Sequence, residues 1–336
     1  MQEKVILDLM PLVRIFVLTF FSFLIAMLWT PILTNFLYKW QIYKKVKRIG
    51  SPIFSRLHRG KENTPTMGGM LIWITVFAMT LIFNLSRGQT YLPLFALVSF
   101  GILGAIDDYF NVRGIGGWRG LRGRHKILWQ LVIAILGAWW FYYKLGWNYL
   151  HIPGVGDFTI GFWYIPLFIF VILACTNAVN ITDGLDGLAG GLISLAFLAF
   201  GGIAFVRSDF GIAIFCGCIT GASLAFLWFN IYPARFFMGD TGSLALGATL
   251  GVVAMLEDSV VVLPIIGFIF VLETLSVILQ LGYKRITGGR KIFLSAPLHH
   301  HLQAKGWPEP KVVMRFWVLG AVMAIIGFVI ALIGRG

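Results

Sequence analysis

Apolar residues run through the chain in ten long blocks, roughly 12–37, 66–86, 91–107, 127–146, 161–178, 188–206, 211–229, 241–256, 260–282 and 312–334, with short polar connections between them. Most are close to the length a helix needs to cross the hydrocarbon of a bilayer. In hydrocarbon the backbone must satisfy its own hydrogen bonds, which favours helices. The pattern predicts an all-α, polytopic integral membrane protein of about ten transmembrane helices, organised as a single transmembrane domain over residues 1–336. The first block has acidic residues before it and is long enough to span, so it reads as a membrane helix rather than a signal peptide.

Composition agrees. Of 336 residues, 58% are hydrophobic and only 12% charged, against about 25% charged in a soluble domain. The formal charge of +13 suggests either nucleic acid or a membrane surface, and its placement decides. With the N-terminus outside, five connections face the cytoplasm and hold 20 of the 27 lysines and arginines: eight in 38–65, five in 107–126, none in 177–187, one in 230–240 and six in 283–311. This asymmetry orients the chain by the positive-inside rule, with both termini outside. Charges confined to short loops on one membrane face argue against nucleic acid as a partner. The loop 38–65, basic and aromatic, suits anionic headgroups. Cys175, Cys216 and Cys218 lie in apolar segments without the paired spacing of a zinc site, and read as small core residues.

The polar chemistry gathers in the connections read as cytoplasmic. Thr176-Asn-Ala-Val-Asn-Ile-Thr-Asp-Gly-Leu-Asp-Gly-Leu-Ala-Gly-Gly191 joins two apolar blocks. Asn177, Asn180, Asp183 and Asp186 recur every third residue, a spacing that stacks the first of them on one helix face. Gly184 and Gly187 let a ligand approach the backbone. A plain turn needs Gly, Asn and Asp as well, but not two amides and two carboxylates beside apolar walls. Asp107 and Asp108 end the third block, where adjacent carboxylates are expensive and oppose the helix dipole. Their natural partners are a divalent cation or the basic run Arg113, Arg119, Arg122, Arg124, His125 and Lys126.

Pro65 breaks the chain before the second block. Thr64 and Thr66 can cap the helix start, and Lys61 and Thr66 can equally face an anionic substrate. Asp240 is a candidate N-cap beside Ser243, or a metal ligand. Phe236 and Phe237 can stack on a base or anchor at the interface. In Ala296-Pro-Leu-His-His-His-Leu302, adjacent histidines do not share a helix face, so they suit separate roles on phosphate or sugar. Glu273, deep in the ninth block, is either functional or hydrogen-bonded on the Gln280 side of its helix. His151 and Asp157, in an outer connection, read as turn residues.

Carboxylates, amides, histidines and many basic residues on one membrane face fit magnesium held by one or two carboxylates plus substrate phosphates. Phosphoryl transfer requires positioning and charge neutralisation more than covalent chemistry. A membrane-facing site implies one lipid-borne reactant. The basic loops suit a soluble anionic one.

The motifs Thr64-Pro-Thr-Met-Gly-Gly69, Asp107-Asp108, Thr176 to Ala189, Phe237-Met-Gly-Asp-Thr-Gly-Ser-Leu244 and Pro297-Leu-His-His-His301 resemble those of the polyprenyl-phosphate N-acetylhexosamine-1-phosphate transferases, most closely the phospho-N-acetylmuramoyl-pentapeptide transferase branch. The resemblance covers essentially the whole chain. Asn63 stands where that family often has Gly, and the run Gly116–Lys126 departs from its usual loop while keeping the final Lys. The resemblance implies a magnesium-dependent transfer of phospho-MurNAc-pentapeptide from UDP-MurNAc-pentapeptide to undecaprenyl phosphate, giving lipid I and UMP for peptidoglycan synthesis. It implies a bacterial plasma-membrane enzyme, a homodimer, with its site on the cytoplasmic face.

The implied roles follow residue by residue. Asp240 and Asn180 hold Mg2+, Asp107 keeps the lipid phosphate ionised or orients it, and Asp108 supports the metal or a neighbouring Lys. Lys61, Thr66, Asn177, Asp183, Gly184, Leu185, Asp186 and Phe237 form the uridine and phosphate pocket. His299, counted with the catalytic group, joins His300, His301 and Lys126 on the pyrophosphate and sugar-peptide. A GlcNAc-1-phosphate transferase shares the carboxylates, but the unbroken triple His favours the muramoyl branch. A secondary transporter predicts polar residues near mid-membrane, whereas most of this charge lies on one face, with Glu273 the main exception.

Overall fold

A computed structural model describes residues 2–43, 61, 63–86, 88–115, 121 and 123–334. Most of the basic loop 38–65, with Arg87, Arg119, Arg122 and Arg335, lies outside the described residues. All ten apolar blocks contain helix: α1 (Gln2–Lys39), α2 (Met70–Phe83), α3 (Tyr91–Arg113), α4 (Gly123–Trp139), α5 (Tyr164–Thr182), α6 (Leu188–Val206), α7 (Phe210–Asn230), α8 (Gly239–Leu256), then α9 (Leu263–Ile266) with α10 (Phe268–Ile286), the short α11 (Leu298–Ala304), and α12 (Glu309–Ile333). Among the described residues, eight helices are long and apolar enough to cross a membrane. The two exceptions are instructive. The second block yields only 14 helical residues because the helix begins at Met70, after Thr64-Pro-Thr-Met-Gly-Gly69 has formed a loop. The ninth is interrupted at Gly267, and the 19-residue helix that follows carries Glu273, Lys284 and Arg285, too many charges for an apolar span.

The helix starts correct two capping expectations. Gly69 occupies the N-cap of α2 without a side-chain bond, and Thr66 Oγ1 is buried with no hydrogen-bond partner among the described residues. Met238 occupies that place on α8, so Asp240 lies in the first turn with its side chain released for other contacts. Within the loop before α2, Met67 takes a left-handed conformation (φ 70°).

The arrangement of layers reverses what apolar content alone suggests. α1, among the most apolar helices, is mostly unburied, while α8 is almost wholly enclosed. Exposed Phe16, Leu28, Ile32, Trp228 and Ile333 give the bundle an apolar outer surface, as expected of a chain solvated by lipid. α8 packs chiefly along α3 and α5, α7 lies against α1 and α6, and α12 closes on α6. Phe197, Phe200, Phe215 and Phe226 fill the interior between α6 and α7. Cys216 and Cys218 are buried in α7, as the core reading requires, and Cys175 is half-buried.

Two glycines set how closely α8 is held. A Cβ on Gly104 of α3 would strike the Asp240 carbonyl and Thr241 Cα, and one on Gly247 would meet Cys175 O and Thr176 Cα of α5. Without hydrophobic drive between helices in lipid, such close backbone packing is a main source of cohesion. Between α4 and α5 a two-stranded hairpin, β1 (Tyr149–Ile152) and β2 (Gly156–Thr159), pairs His151 with Asp157.

Gly104→Ala drives a methyl into α8 backbone that has no flexible end to move. It is expected to destabilise the protein by about 1–3 kcal/mol, read as a lower melting temperature in detergent. Gly88→Ala, in open space, is expected to leave the melt unchanged.

Candidate active site

The ends of α3, α4, α5 and α8 bring four predicted residues together. Lys126 Nζ lies 3.1 Å from Asp107 Oδ2 and 2.5 Å from Asp240 Oδ2. Asn180 donates to Asp240 Oδ1 (3.1 Å) and to Ser243 Oγ (2.8 Å). Leu121 N donates to the second oxygen of Asp107 at 2.7 Å. One ammonium is thus shared between two carboxylates, leaving a net negative charge in a largely enclosed place. Asp108 has a different environment. It is buried, and its Oδ2 accepts the Thr241 N–H at 3.1 Å, giving an acceptor to one of the N–H donors that a helix start leaves unmatched. This bond ties Asp108 to the start of α8. Gly239, left-handed at φ 74°, runs past both Asp108 and Thr66.

A second lysine repeats the arrangement. Lys61 Nζ lies 2.6 Å from Asp186 Oδ1 and 2.6 Å from Glu309 Oε1. Glu309 also accepts the Asp186 N–H at 2.8 Å, and Asp186 Oδ2 accepts the Ala234 N–H at 3.0 Å. The Lys61 ammonium faces the rings of Tyr232 and Phe237 at 5.7 and 5.8 Å, a placement that stabilises it further. Phe237 is half-buried, its N–H bonded to Pro65 O and its carbonyl accepting from Gly68. Phe236 is fully buried against Phe226 and Phe229, so this half of the aromatic pair is core.

The turn 183–187 separates the two lysine clusters. Asp183 ends α5, Leu185 is buried, and Gly187, left-handed at φ 79°, starts α6 with its N–H on Asn230 Oδ1 at 2.9 Å. A side chain on Gly184 would collide with His299 Nε2. His299 is fully buried, and Glu273 holds it twice: its backbone N–H at 3.1 Å and its Nδ1 at 3.0 Å. With Nδ1 hydrogen-bonded, Nε2 points to Gly184 and has no hydrogen-bond partner among the described residues.

Glu273 therefore answers to His299 and not to the Gln280 side of its helix. Gln280 instead accepts from Ile292 N and Phe293 N, both at 3.0 Å. His300 Nδ1 meets Gln303 at 3.0 Å, while His301 Nδ1 accepts the Leu294 N–H at 3.1 Å. Burial and then the Lys305 ammonium lower the His301 pKa, which keeps it neutral near pH 7 with its hydrogen on Nε2. The three histidines have three sets of partners, as their adjacency on a helix requires.

Asn177 lies apart from these clusters. One turn before Asn180, it donates to Gln130 Oε1 of α4 at 2.9 Å and to Leu173 O. Glu309 was absent from the sequence-based site. The sequence signal is Trp307-Pro-Glu-Pro310 at the mouth of the last span, which by itself reads as an acidic residue in a helix's first turn.

The donor set around Asp240 is hard and oxygen-rich. Among the described residues, no group of three His, Cys, Asp or Glu side chains converges there to enclose a metal. Two carboxylates and an amide, with a cation already between them, fit magnesium as an ion that takes most of its remaining oxygens from water and phosphate.

A profile of glycosyl transferase family 4 matches residues 90–257. A phospho-N-acetylmuramoyl-pentapeptide-transferase of Chloroflexus aurantiacus is 44% identical over 305 residues, 87% of this chain and 83% of its own. Those of a Geobacillus species (41% identical; 92% of this chain, 95% of its own) and of Thermodesulfovibrio yellowstonii (38%; 91% and 88%) are similar along nearly their whole length. A profile match running from α3 to the end of α8, and relatives alike over almost the entire chain, show the family: the chain belongs to glycosyl transferase family 4, in its phospho-N-acetylmuramoyl-pentapeptide-transferase branch.

Proposed function

We propose that the protein transfers phospho-MurNAc-pentapeptide from UDP-MurNAc-pentapeptide to undecaprenyl phosphate, releasing UMP and forming lipid I at the cytoplasmic face of a bacterial plasma membrane. The observation that carries this reading is Lys126 held between Asp107 and Asp240, with Asn180 on the far oxygen of Asp240. An anionic acceptor and an anionic donor repel each other. A site for their reaction needs cations to draw both in and fixed carboxylates to orient those cations.

In this reading an oxygen of the lipid phosphate attacks the sugar-linked phosphorus of the donor in line, and the bond to the UMP phosphate breaks. The donor's pyrophosphate and the lipid's monophosphate become a new lipid-linked pyrophosphate and a nucleoside monophosphate, without a covalent enzyme intermediate. A phosphate is already anionic near neutral pH, so Asp107 needs only to keep it ionised and turned toward the donor. Lys126 neutralises the oxygens between the reacting phosphorus atoms. Asp240, with the carbonyl oxygen of Asn180, would hold magnesium, which supplies charge neutralisation on the pyrophosphate. Lys61, Asp186 and Phe237 suit the uridine end: a ring to stack on the base, an acceptor for its N–H, and a cation for phosphate. Glu309 fixes Lys61 and the Asp186 backbone in place. His299, aimed at Gly184 by Glu273, together with His300 and His301, suits the pyrophosphate and sugar-peptide beyond it. A homodimer is the assembly this branch implies.

Purified protein given undecaprenyl phosphate and magnesium is expected to release UMP from UDP-MurNAc-pentapeptide, to lose that activity in EDTA, and to leave UDP-GlcNAc intact. Release only from UDP-GlcNAc would move the protein to the sister branch. Asp240→Asn is expected to lower kcat about a hundred- to a thousandfold and to raise the magnesium requirement. Full turnover at limiting magnesium would remove Asp240 from the metal. Glu309→Gln frees Lys61 from one of its two anchors and is expected to raise KM for the nucleotide donor about tenfold, about 1.4 kcal/mol of binding, with kcat little changed. An equal fall in kcat would instead tie Glu309 to the chemical step.

A further inference from the structure

The outward face of α12 is apolar except at its start. Lys311, Met314, Arg315, Val318, Val322 and Ile325 recur at helical spacing and are all exposed, so they form one stripe along the helix. Glu309, Val312, Val313 and Phe316 are buried on the other side. From Arg315 to Ile333 the helix rises about 27 Å, close to the roughly 30 Å of a bilayer's hydrocarbon core. The two cations therefore stand at headgroup level, at the end of α12 that carries Glu309, and the exposed apolar residues beyond them face acyl chains. We propose that Lys311, Arg315 and Trp307 form a binding site for the phosphate of an anionic bilayer phospholipid whose chains lie along this stripe.

The indole gathers the charges. The Lys311 ammonium lies 5.1 Å and the Arg315 guanidinium carbon 4.4 Å from the centre of the Trp307 ring. Both are within the range at which a ring face attracts a cation. Trp307 is half-buried and packs against the core, so the platform on which the two side chains rest is fixed. Like charges four residues apart on a helix repel, and here one ring draws them together. Among the described residues no ion pair includes either cation, and the neighbouring carboxylate, Glu309, is turned to Lys61. Two positive charges meeting without a carboxylate call for an anion from outside the chain.

Position and charge choose the anion. A soluble phosphate gains nothing from the exposed apolar stripe beside these cations, whereas a phospholipid satisfies both. A zwitterionic lipid brings its own cation, while a lipid with net negative charge, such as phosphatidylglycerol, leaves the protein's charges for its phosphate. Arginine suits that group by its forked donors and lysine by its compact charge. Around the helix, Lys311 and Arg315 lie roughly opposite Glu309, which faces Lys61 and Asp186. A phosphate held on Arg315 is therefore turned away from the clusters where transfer is proposed, and the lipid is distinct from the acceptor.

Delipidated full-length protein in detergent can be titrated with phosphatidylglycerol, or with phosphatidylcholine of the same chains, and read by native mass spectrometry. It is expected to retain phosphatidylglycerol in preference. That affinity should fall about fivefold in Arg315→Gln and about thirtyfold when Lys311→Gln is added. Arg315→Lys, which keeps the charge, should retain most of it. Both positions are exposed, so the variants should melt with the wild type. Inorganic phosphate, lacking chains, should not displace the lipid. Equal retention of the two phospholipids would overturn the proposal, as would an unchanged affinity in the double variant. A double variant that loses undecaprenyl phosphate but keeps phosphatidylglycerol would give the cations to the acceptor instead, and one that loses a second copy of the chain but keeps the lipid would give them to a protein interface.

Discussion

The site depends on the close backbone contact between α8 and its neighbours α3 and α5. Gly104 admits the Asp240 carbonyl and Gly247 admits the backbone of Cys175 and Thr176, so α8 sits nearer to both helices than side chains would allow. This proximity brings Asp107 from α3 and Asn180 from α5 to Asp240 in its first turn. Asp108, bonded to Thr241 N, anchors the start of the same helix. The first of the paired carboxylates faces the shared lysine and the second serves the architecture that delivers it.

Each of the two lysines is shared by a pair of carboxylates drawn from distant parts of the chain. Two unit charges about 4 Å apart interact by about 4 kcal/mol near a protein surface. A lone carboxylate pair would therefore strain the site, and a lone buried ammonium would be worse. The three-membered clusters balance attraction against repulsion and retain one negative charge each. That residue of charge makes them receptive to a further cation, while the ammonium keeps them compatible with phosphate. Such an arrangement holds its geometry before any substrate arrives, which is the condition for electrostatic stabilisation without reorganisation.

Much of this was legible in the sequence because it is written in local patterns. Apolar blocks announce helices, and carboxylates placed where lipid or a helix dipole disfavours them announce a purpose. The basic run ending in Lys126 was anticipated as a partner of Asp107, and Asn180 as a companion of Asp240; that one Lys126 joins Asp107 to Asp240 was not. Glu309 escaped because a carboxylate in a helix's first turn has an ordinary explanation, and only the fold puts it against Lys61, 248 residues away. Glu273 could be marked as anomalous, but its partner His299 comes from a different segment. Phe236 and Phe237 are indistinguishable as letters, and burial separates them. His151 and Asp157 looked like turn residues until the hairpin register set them opposite each other beside Asp258.

The bond between Lys61 and Glu309 also has a meaning in time. A chain entering a membrane is made from its N-terminus, so Lys61 emerges early, Asp186 midway and Glu309 only at the start of α12. Until α12 is inserted, Lys61 and the Asp186 backbone lack the carboxylate that joins them. The clustered acids around Lys126 need only the first eight helices, whereas the half of the site built on Lys61 waits for the twelfth. A chain assembled in that order completes the Lys126 cluster first and the Lys61 cluster last, so a chain stopped short of α12 holds one of the two and not the other.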